Sequence, residues 1–123
     1  DRKIVTMLDG MDFNHLKNQV DHLKKCGLQH VIVDPGIGFG KTKFENLAIL
    51  KNIEKMKSLG CEILVGHSRK SFFSLISNHE AIGRDIETLA ISDIMQISGV
   101  DYLRIHNLEQ HMKFFTSKAV IQL

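Results

Sequence analysis

At 123 residues, 43% hydrophobic and 24% charged, the sequence falls in the range of one ordinary globular unit and can bury a core. Formal charge is only +2, with Lys and Arg interleaved among Asp and Glu, so nothing argues for nucleic acid or for a charged membrane surface. No apolar run approaches the ~20 residues of a spanning helix, and Asp1-Arg2-Lys3-Ile4 lacks a signal-peptide core, so a cytoplasmic protein is the default expectation.

Four times the sequence runs from a short β-branched stretch through a polar or glycine-containing turn into helical spacing, a βα alternation. The first strand is expected at 4–8. The helix after it carries Phe13, Leu16, Val20 and Leu23 on one face, with Asp12 as N-cap and Gly27 as its stop. A second strand at 30–34 leads through a glycine-rich loop to Thr42-Lys43-Phe44-Glu45, a capping-box pattern opening a helix that buries Leu47, Leu50 and Ile53. After a third strand at 62–66 comes a short helix near Ser71, in which Phe72 and Phe73 pack inward. A helix from about Asp85 then turns Ile86, Leu89, Ala90 and Ile94 toward the sheet and stops at Gly99. The fourth strand, 101–106, precedes an amphipathic helix over 108–118.

All four strands are short and apolar enough for a buried parallel sheet. With no Pro/Ser-rich linker, and Pro35 the single proline, the chain is one unit or part of one. Four βα repeats make half of an eight-stranded barrel, which normally takes ~250 residues; they could instead form a small doubly wound sheet. Cys26 and Cys61 have no metal-type spacing and are read as reduced packing residues. The seven histidines form no HxH or HExxH, and His106 and His111 stand at i,i+5, so no zinc site is expected.

Each unusual polar cluster follows directly on a predicted strand. Val31-Ile32-Val33 runs into Asp34-Pro35-Gly36-Ile37-Gly38-Phe39-Gly40-Lys41, Ile63-Leu64-Val65 into Gly66-His67-Ser68-Arg69-Lys70-Ser71, and Tyr102-Leu103 into Arg104-Ile105-His106-Asn107. Parallel strands place those ends on one face, where ligands bind in barrels and open sheets alike. Side chains alternate with period two, so Arg104 and His106 share a face, as do Ile32 and Asp34. A guanidinium beside an imidazole suits an anion. The glycine loop is neither of the common phosphate motifs. A Walker loop would need glycine at Pro35, and Gly36, Gly38 and Gly40 recur every second residue, unlike GxGxxG. Ser68-Arg69-Lys70-Ser71 leads into a helix and suits a small anion such as a carboxylate, although Lys70 alone would serve as a solvated helix-start charge.

In order and approximate spacing, these three clusters are similar to the successive C-terminal signatures of the dihydropteroate synthases, over roughly residues 28–110. The resemblance implies a (β/α)8 TIM barrel of α/β class, of which residues 1–123 supply the last four βα units, the N-terminal half being absent. It implies condensation of p-aminobenzoate with 6-hydroxymethyl-7,8-dihydropterin diphosphate, giving 7,8-dihydropteroate and pyrophosphate. By the same resemblance Asp34 accepts from the pterin, Lys70 donates to its far edge, and Arg104 and His106 hold the pyrophosphate leaving group. Ser71 receives the p-aminobenzoate carboxylate and Phe39 packs near its ring. Gly38, Ser68 and Arg69 complete the expected substrate contacts, with Lys70, Arg104 and His106 as the catalytic set. Mg²⁺ is expected from the family, its asparagine ligand lying outside this chain, and a homodimer stays open. Glu87 stands where the family usually has a small residue, Asn107 replaces a common aspartate, and residues 4–12 match only loosely. A pterin-binding methyltransferase domain or a non-catalytic pterin binder is the alternative; neither needs the Ser68–Ser71 pocket or the Arg104/His106 clamp.

Overall fold

The computed structural model describes residues 3–7, 13–75 and 80–123. Strands β1 (Lys3–Met7), β2 (His30–Asp34), β3 (Glu62–Val65) and β4 (Tyr102–Leu103) pair in parallel in sequence order, with Val5 opposite Ile32, Ile32 opposite Glu62, and Leu64 opposite Tyr102. They alternate with helices α1 (Phe13–Lys25), α2 (Lys43–Lys51), α3 (Asp85–Ile97) and α4 (Leu108–Ile121), and with 3-10 segments at Ile53–Leu59, Ser71–Leu75 and Ile82–Arg84.

Strand order decides between the two architectures that the βα alternation allows. A doubly wound sheet reverses order at a switch point and so carries helices on both faces. Here each crossover lands on the next strand, and right-handed crossovers of that kind all pass over the same face. Burial agrees: Val31, Val33, Ile63 and Val65 pack against Leu16, Val20, Ile49, Leu50, Phe72, Phe73 and Met95 in one core. Each such side chain contributes roughly 1.5–3 kcal/mol by leaving water. The alternate positions Ile32, Asp34, Glu62, Leu64 and Tyr102 take the opposite face. There Lys3 Nζ of β1 donates to Tyr102 Oη of β4 at 2.8 Å, and that hydroxyl donates to Glu62 at 2.9 Å. Two edge strands are thus linked across the helix-free face, and the hydroxyl holds the Lys3 pKa up and that of Glu62 down.

Local signals place the helix ends. Gly27 and Gly99 have φ of 92° and 88°, and each closes a Schellman turn: Leu28 N donates to Leu23 O at 3.2 Å, and Val100 N to Met95 O at 3.0 Å. Thr42 and Glu45 form the expected capping box, each side chain accepting from the other's backbone N–H at 3.1 Å. These bonds hold the Glu45 carboxyl below its ordinary pKa.

Several expectations are corrected. The fourth strand is only Tyr102–Leu103, because Arg104 N makes the last ladder bond, to Val65 O, and His106 N turns to the Ser68 hydroxyl. The helix near Ser71 is a five-residue 3-10 segment, and Ile53, though buried, lies in the 3-10 segment after α2. Cys26 is exposed at the end of α1, whereas Cys61 packs at the core margin; both are free thiols. Asp12 and Leu8 lie outside the described residues. Helix α3 is rotated from its expected face: Ile86 and Ile94 are 73% and 52% exposed, and Thr88, Ser92 and Met95 are buried. The loop after β3 buries polar groups against this helix. An unpaired buried donor costs ~1–3 kcal/mol, so hydroxyls rather than isoleucines face inward.

Candidate active site at the strand ends

Asp34 closes β2 with its side chain 2% exposed. Its Oδ1 accepts from Gly36 N at 2.8 Å, turning the chain at once, and Gly36, Gly38 and Gly40 all have positive φ. The loop is held from below by the buried Asn46 of α2, whose Oδ1 accepts from Gly38 N at 2.9 Å, and from the side by Lys41 Nζ, which donates to the carbonyls of Gly36 and Phe39, both at 3.0 Å. Phe39 is left half exposed at the tip.

After β3 the chain passes Gly66, buries His67 and Ser68, and turns through Arg69 at φ 56°, the single non-glycine positive φ among the described residues. Arg69 Nε and Nη2 donate to the two oxygens of Asp85 at 2.7 and 3.0 Å. This fork holds the Asp85 pKa below the usual carboxylate value. Lys70 Nζ lies 4.7 Å from the centroid of the Phe39 ring, within cation–π range. Its stem crosses Gly38 so closely that a Cβ there would sit 2.9 Å from Lys70 Cδ.

Arg104 and His106 follow the end of β4 and both line the cleft, together with Ile105 between them. Arg104 Nη1 is 3.4 Å from Asp34 Oδ2, and the guanidinium lies over Gly66, where a Cβ would approach Nη2 to 2.3 Å. His106 N donates to Ser68 Oγ at 3.2 Å, and Nδ1 is 2.8 Å from the same oxygen. In the tautomer in which the Ser68 hydroxyl donates to Nδ1, the neutral ring carries its proton on Nε2 and presents that N–H as a donor.

Phe39, Ser68, Lys70, Arg104 and His106, with Gly66 and Ile105, line a cleft of about 350 Å³. Two cations and an imidazole converge there, and no carboxylate is among the lining residues. Such a cleft attracts an anion bearing several oxygens, with Phe39 offering an aromatic wall. The sequence-expected residues therefore divide. Phe39, Ser68, Lys70, Arg104 and His106 meet in the cleft, Gly38 lies against the Lys70 stem, and Asp34 is outside the lining, 3.4 Å from Arg104 Nη1. Arg69 is spent on Asp85, and Ser71 is exposed on its short 3-10 segment outside the lining. Sequence reading missed Asn46, His67, Asp85, Thr88, Ser92 and His111. One signal was available, since Asp85, Thr88 and Ser92 recur at i, i+3 and i+7 along one stripe of the helix.

A family model described as pterin binding enzyme matches residues 11–106. The chain belongs to this family. Relatives in the pterin-binding enzyme family include the folate synthesis bifunctional protein of Chlamydia caviae, 42% identical over 105 residues, which takes in 84% of this chain and 24% of that protein. The dihydropteroate synthase of Clostridium beijerinckii is 38% identical over 105 residues, 81% of this chain and 38% of that one. Among solved structures, dihydropteroate synthase from Thermus thermophilus superposes with a TM-score of 0.86 at 27% identity, covering 96% of this chain and 53% of that one. The same enzyme has been solved in complex with 6HMPPP and with 4-aminobenzoate. This chain thus spans a quarter to two-fifths of these curated relatives and about half of the solved enzyme. Its four βα units have the fold of about half a TIM barrel.

Proposed function

We propose that this chain is the C-terminal half of a dihydropteroate synthase barrel and holds the substrates of that reaction, a dihydropterin diphosphate and p-aminobenzoate. The observation that carries the reading is the convergence of Lys70, Arg104 and His106 on one cleft, with Arg104 3.4 Å from the buried Asp34 carboxylate. A pterin offers a row of N–H donors to Asp34 and an acceptor edge to Lys70. Because Arg104 already rests on one Asp34 oxygen, a pterin bonded there shares that carboxylate with the guanidinium or shifts it. The diphosphate then meets Arg104 and the Nε2–H of His106.

In the reaction, the amine of p-aminobenzoate forms a new C–N bond as the C–O bond to the diphosphate breaks. The electron pair leaves with the diphosphate and the amine proton passes to solvent. The carbon becomes strongly cationic and the leaving group gains charge, so fixed positive charge at the departing oxygens is the main catalytic service, and no covalent nucleophile is required. Mg²⁺, where the reaction uses it, would add positive charge at the departing diphosphate, and no step here runs through it. The two free thiols and the absence of a membrane-crossing helix among the described residues are compatible with the cytoplasm, where we place the reaction.

The test compares full-length wild type with Arg104→Lys and His106→Ala, measuring pyrophosphate release and affinity for pterin with and without its diphosphate. Arg104→Lys keeps the charge but loses the planar fork, so turnover should fall at least tenfold, a loss of ~1.4 kcal/mol. Affinity for the pterin without diphosphate should suffer less. Equal losses for both ligands with undiminished pyrophosphate release would remove the leaving-group role.

A further inference from the structure

The cations of the cleft come from two separate loops, the 66–70 loop after β3 and the 104–107 turn after β4. What sets their spacing is a buried polar lattice on α3, none of whose members lines the cleft. Asp85, Thr88 and Ser92 form one stripe of that helix, three and four residues apart. The first bridge runs from Arg69 through Asp85 to Asn107, whose Nδ2 donates to Asp85 Oδ2 at 3.2 Å. A second runs from His67 through Ser92 to His111: His67 Nε2 and His111 Nε2 each lie 2.8 Å from Ser92 Oγ. Thr88 serves both, its hydroxyl accepting from Arg69 N at 3.1 Å and its carbonyl lying 3.1 Å from His67 Nε2.

The direction of the protons follows from the carbonyls at the two ends. His111 Nδ1 lies 3.1 Å from Asn107 O, which can only accept, so in the neutral ring Nδ1 carries the proton and Nε2 is bare. Ser92 Oγ also lies 2.9 Å from the Thr88 carbonyl, so its single proton is shared between that oxygen and His111 Nε2. At the other end His67 Nε2 faces the Thr88 carbonyl as well as Ser92 Oγ, so it is the protonated nitrogen of its ring. One serine oxygen thus touches an imidazole of the β3 loop, an imidazole of the element that follows β4, and the backbone of α3 itself. His67, Ser92 and His111 are 0%, 0% and 4% exposed, so no water competes at these joints.

Resting on the anion-site reading above, we propose that Ser92, with His67 and His111, is a positioning device for the reaction: it sets the distance between Lys70 on one loop and Arg104 and His106 on the other. The direct tie between the loops, Ser68 to His106, lies at the cleft and is open to disturbance by any bound anion. The Ser92 bridge lies behind it and keeps the loops in register while that tie is exchanged. Charge stabilisation of a leaving group depends on donors held in place before the charge develops, so loosening the bridge should cost affinity for the anion and turnover even in a fully folded protein.

The experiment uses the full-length protein and inorganic pyrophosphate as probe, by calorimetry at a temperature well below each variant's melting point, with kcat and KM measured alongside. Ser92→Ala should weaken pyrophosphate at least fivefold and lower kcat more than it raises the KM for p-aminobenzoate. Ser92→Thr retains the hydroxyl, and His67→Gln retains a donor that His67→Leu lacks. At least one of the two should stand within about twofold of wild type, a single small increment on the binding scale. If Ser92→Ala melts lower yet binds pyrophosphate and turns over as wild type does, the lattice is purely structural and the inference is overturned. Failure of both rescues also overturns it, because the hydrogen bonds themselves would not matter. A wild type that binds no pyrophosphate removes the anion-site reading and this inference together.

Discussion

The Arg104 guanidinium rests on the backbone of Gly66 and reaches 3.4 Å from the buried carboxylate of Asp34, joining the ends of β2, β3 and β4 through one side chain. Its position depends on the missing side chain beneath it as much as on the charge beside it.

A methyl group at Gly66 should therefore act as a remote Arg104 variant. In Gly66→Ala a Cβ would lie 2.3 Å from Nη2 and 2.7 Å from Cζ, so the guanidinium must leave its place. Pyrophosphate affinity of the full-length protein, read by calorimetry, should drop at least fivefold, or ~1 kcal/mol. Gly27→Ala is the contrasting control. Nothing lies within 4 Å of its Cβ, but φ is 92°, so stability should fall by ~1–2 kcal/mol with affinity unchanged. Equal pyrophosphate affinity in wild type and Gly66→Ala would show that the site tolerates a displaced guanidinium.

Asp34 at the end of β2 and Lys70 after β3 supply an acceptor and a donor beside the same Arg104 cleft. Replacing either by Ala in the full-length protein should weaken pterin binding by about 1.5–3 kcal/mol, the range for hydrogen bonds to charged groups. Calorimetry finding unchanged pterin affinity in both variants would discard the assignment of these two residues.

His67 makes stability sensitive to acid. Burial without a carboxylate partner pushes its pKa down to about 4 from 6.5, with nearby His111 acting in the same direction and the Thr88 carbonyl opposing. The folded-state value is depressed, so the unfolded chain binds the proton first. The contribution of His67 is complete above about pH 6.5 and declines as pH falls from there toward 4, in total by about 3 kcal/mol. The Asp85 pKa, also depressed, adds a loss at lower pH, through the carboxylate range. Denaturant melts of wild type and His67→Gln between pH 4 and 8 should show a steeper decline in wild type, and parallel curves would contradict the assignment.

The sequence by itself determined what depends on neighbours within a few residues. Four βα units follow from hydrophobic period, the capping box from Thr42 and Glu45, and the helix stops from Gly27 and Gly99, whose left-handed backbone few other residues adopt. The gathering of polar clusters at strand ends, Arg104 and His106 among them, needed only that the strands be parallel. Tertiary structure decided choices between partners far apart in sequence. Barrel-type winding over a doubly wound sheet rests on the order β1–β2–β3–β4, which no local pattern encodes. In Ser68-Arg69-Lys70-Ser71 the composition treats both cations alike. Only the proximity of Asp85, 16 residues on, commits Arg69 to structure and frees Lys70 for the cleft. The face of α3 was misjudged for a related reason: hydropathy ranks isoleucine as the inward residue, but the loop after β3 buries an imidazole and a backbone donor against that helix. Satisfying those groups outweighs covering Ile86 and Ile94, and the hydroxyls of Thr88 and Ser92 turn inward to do it.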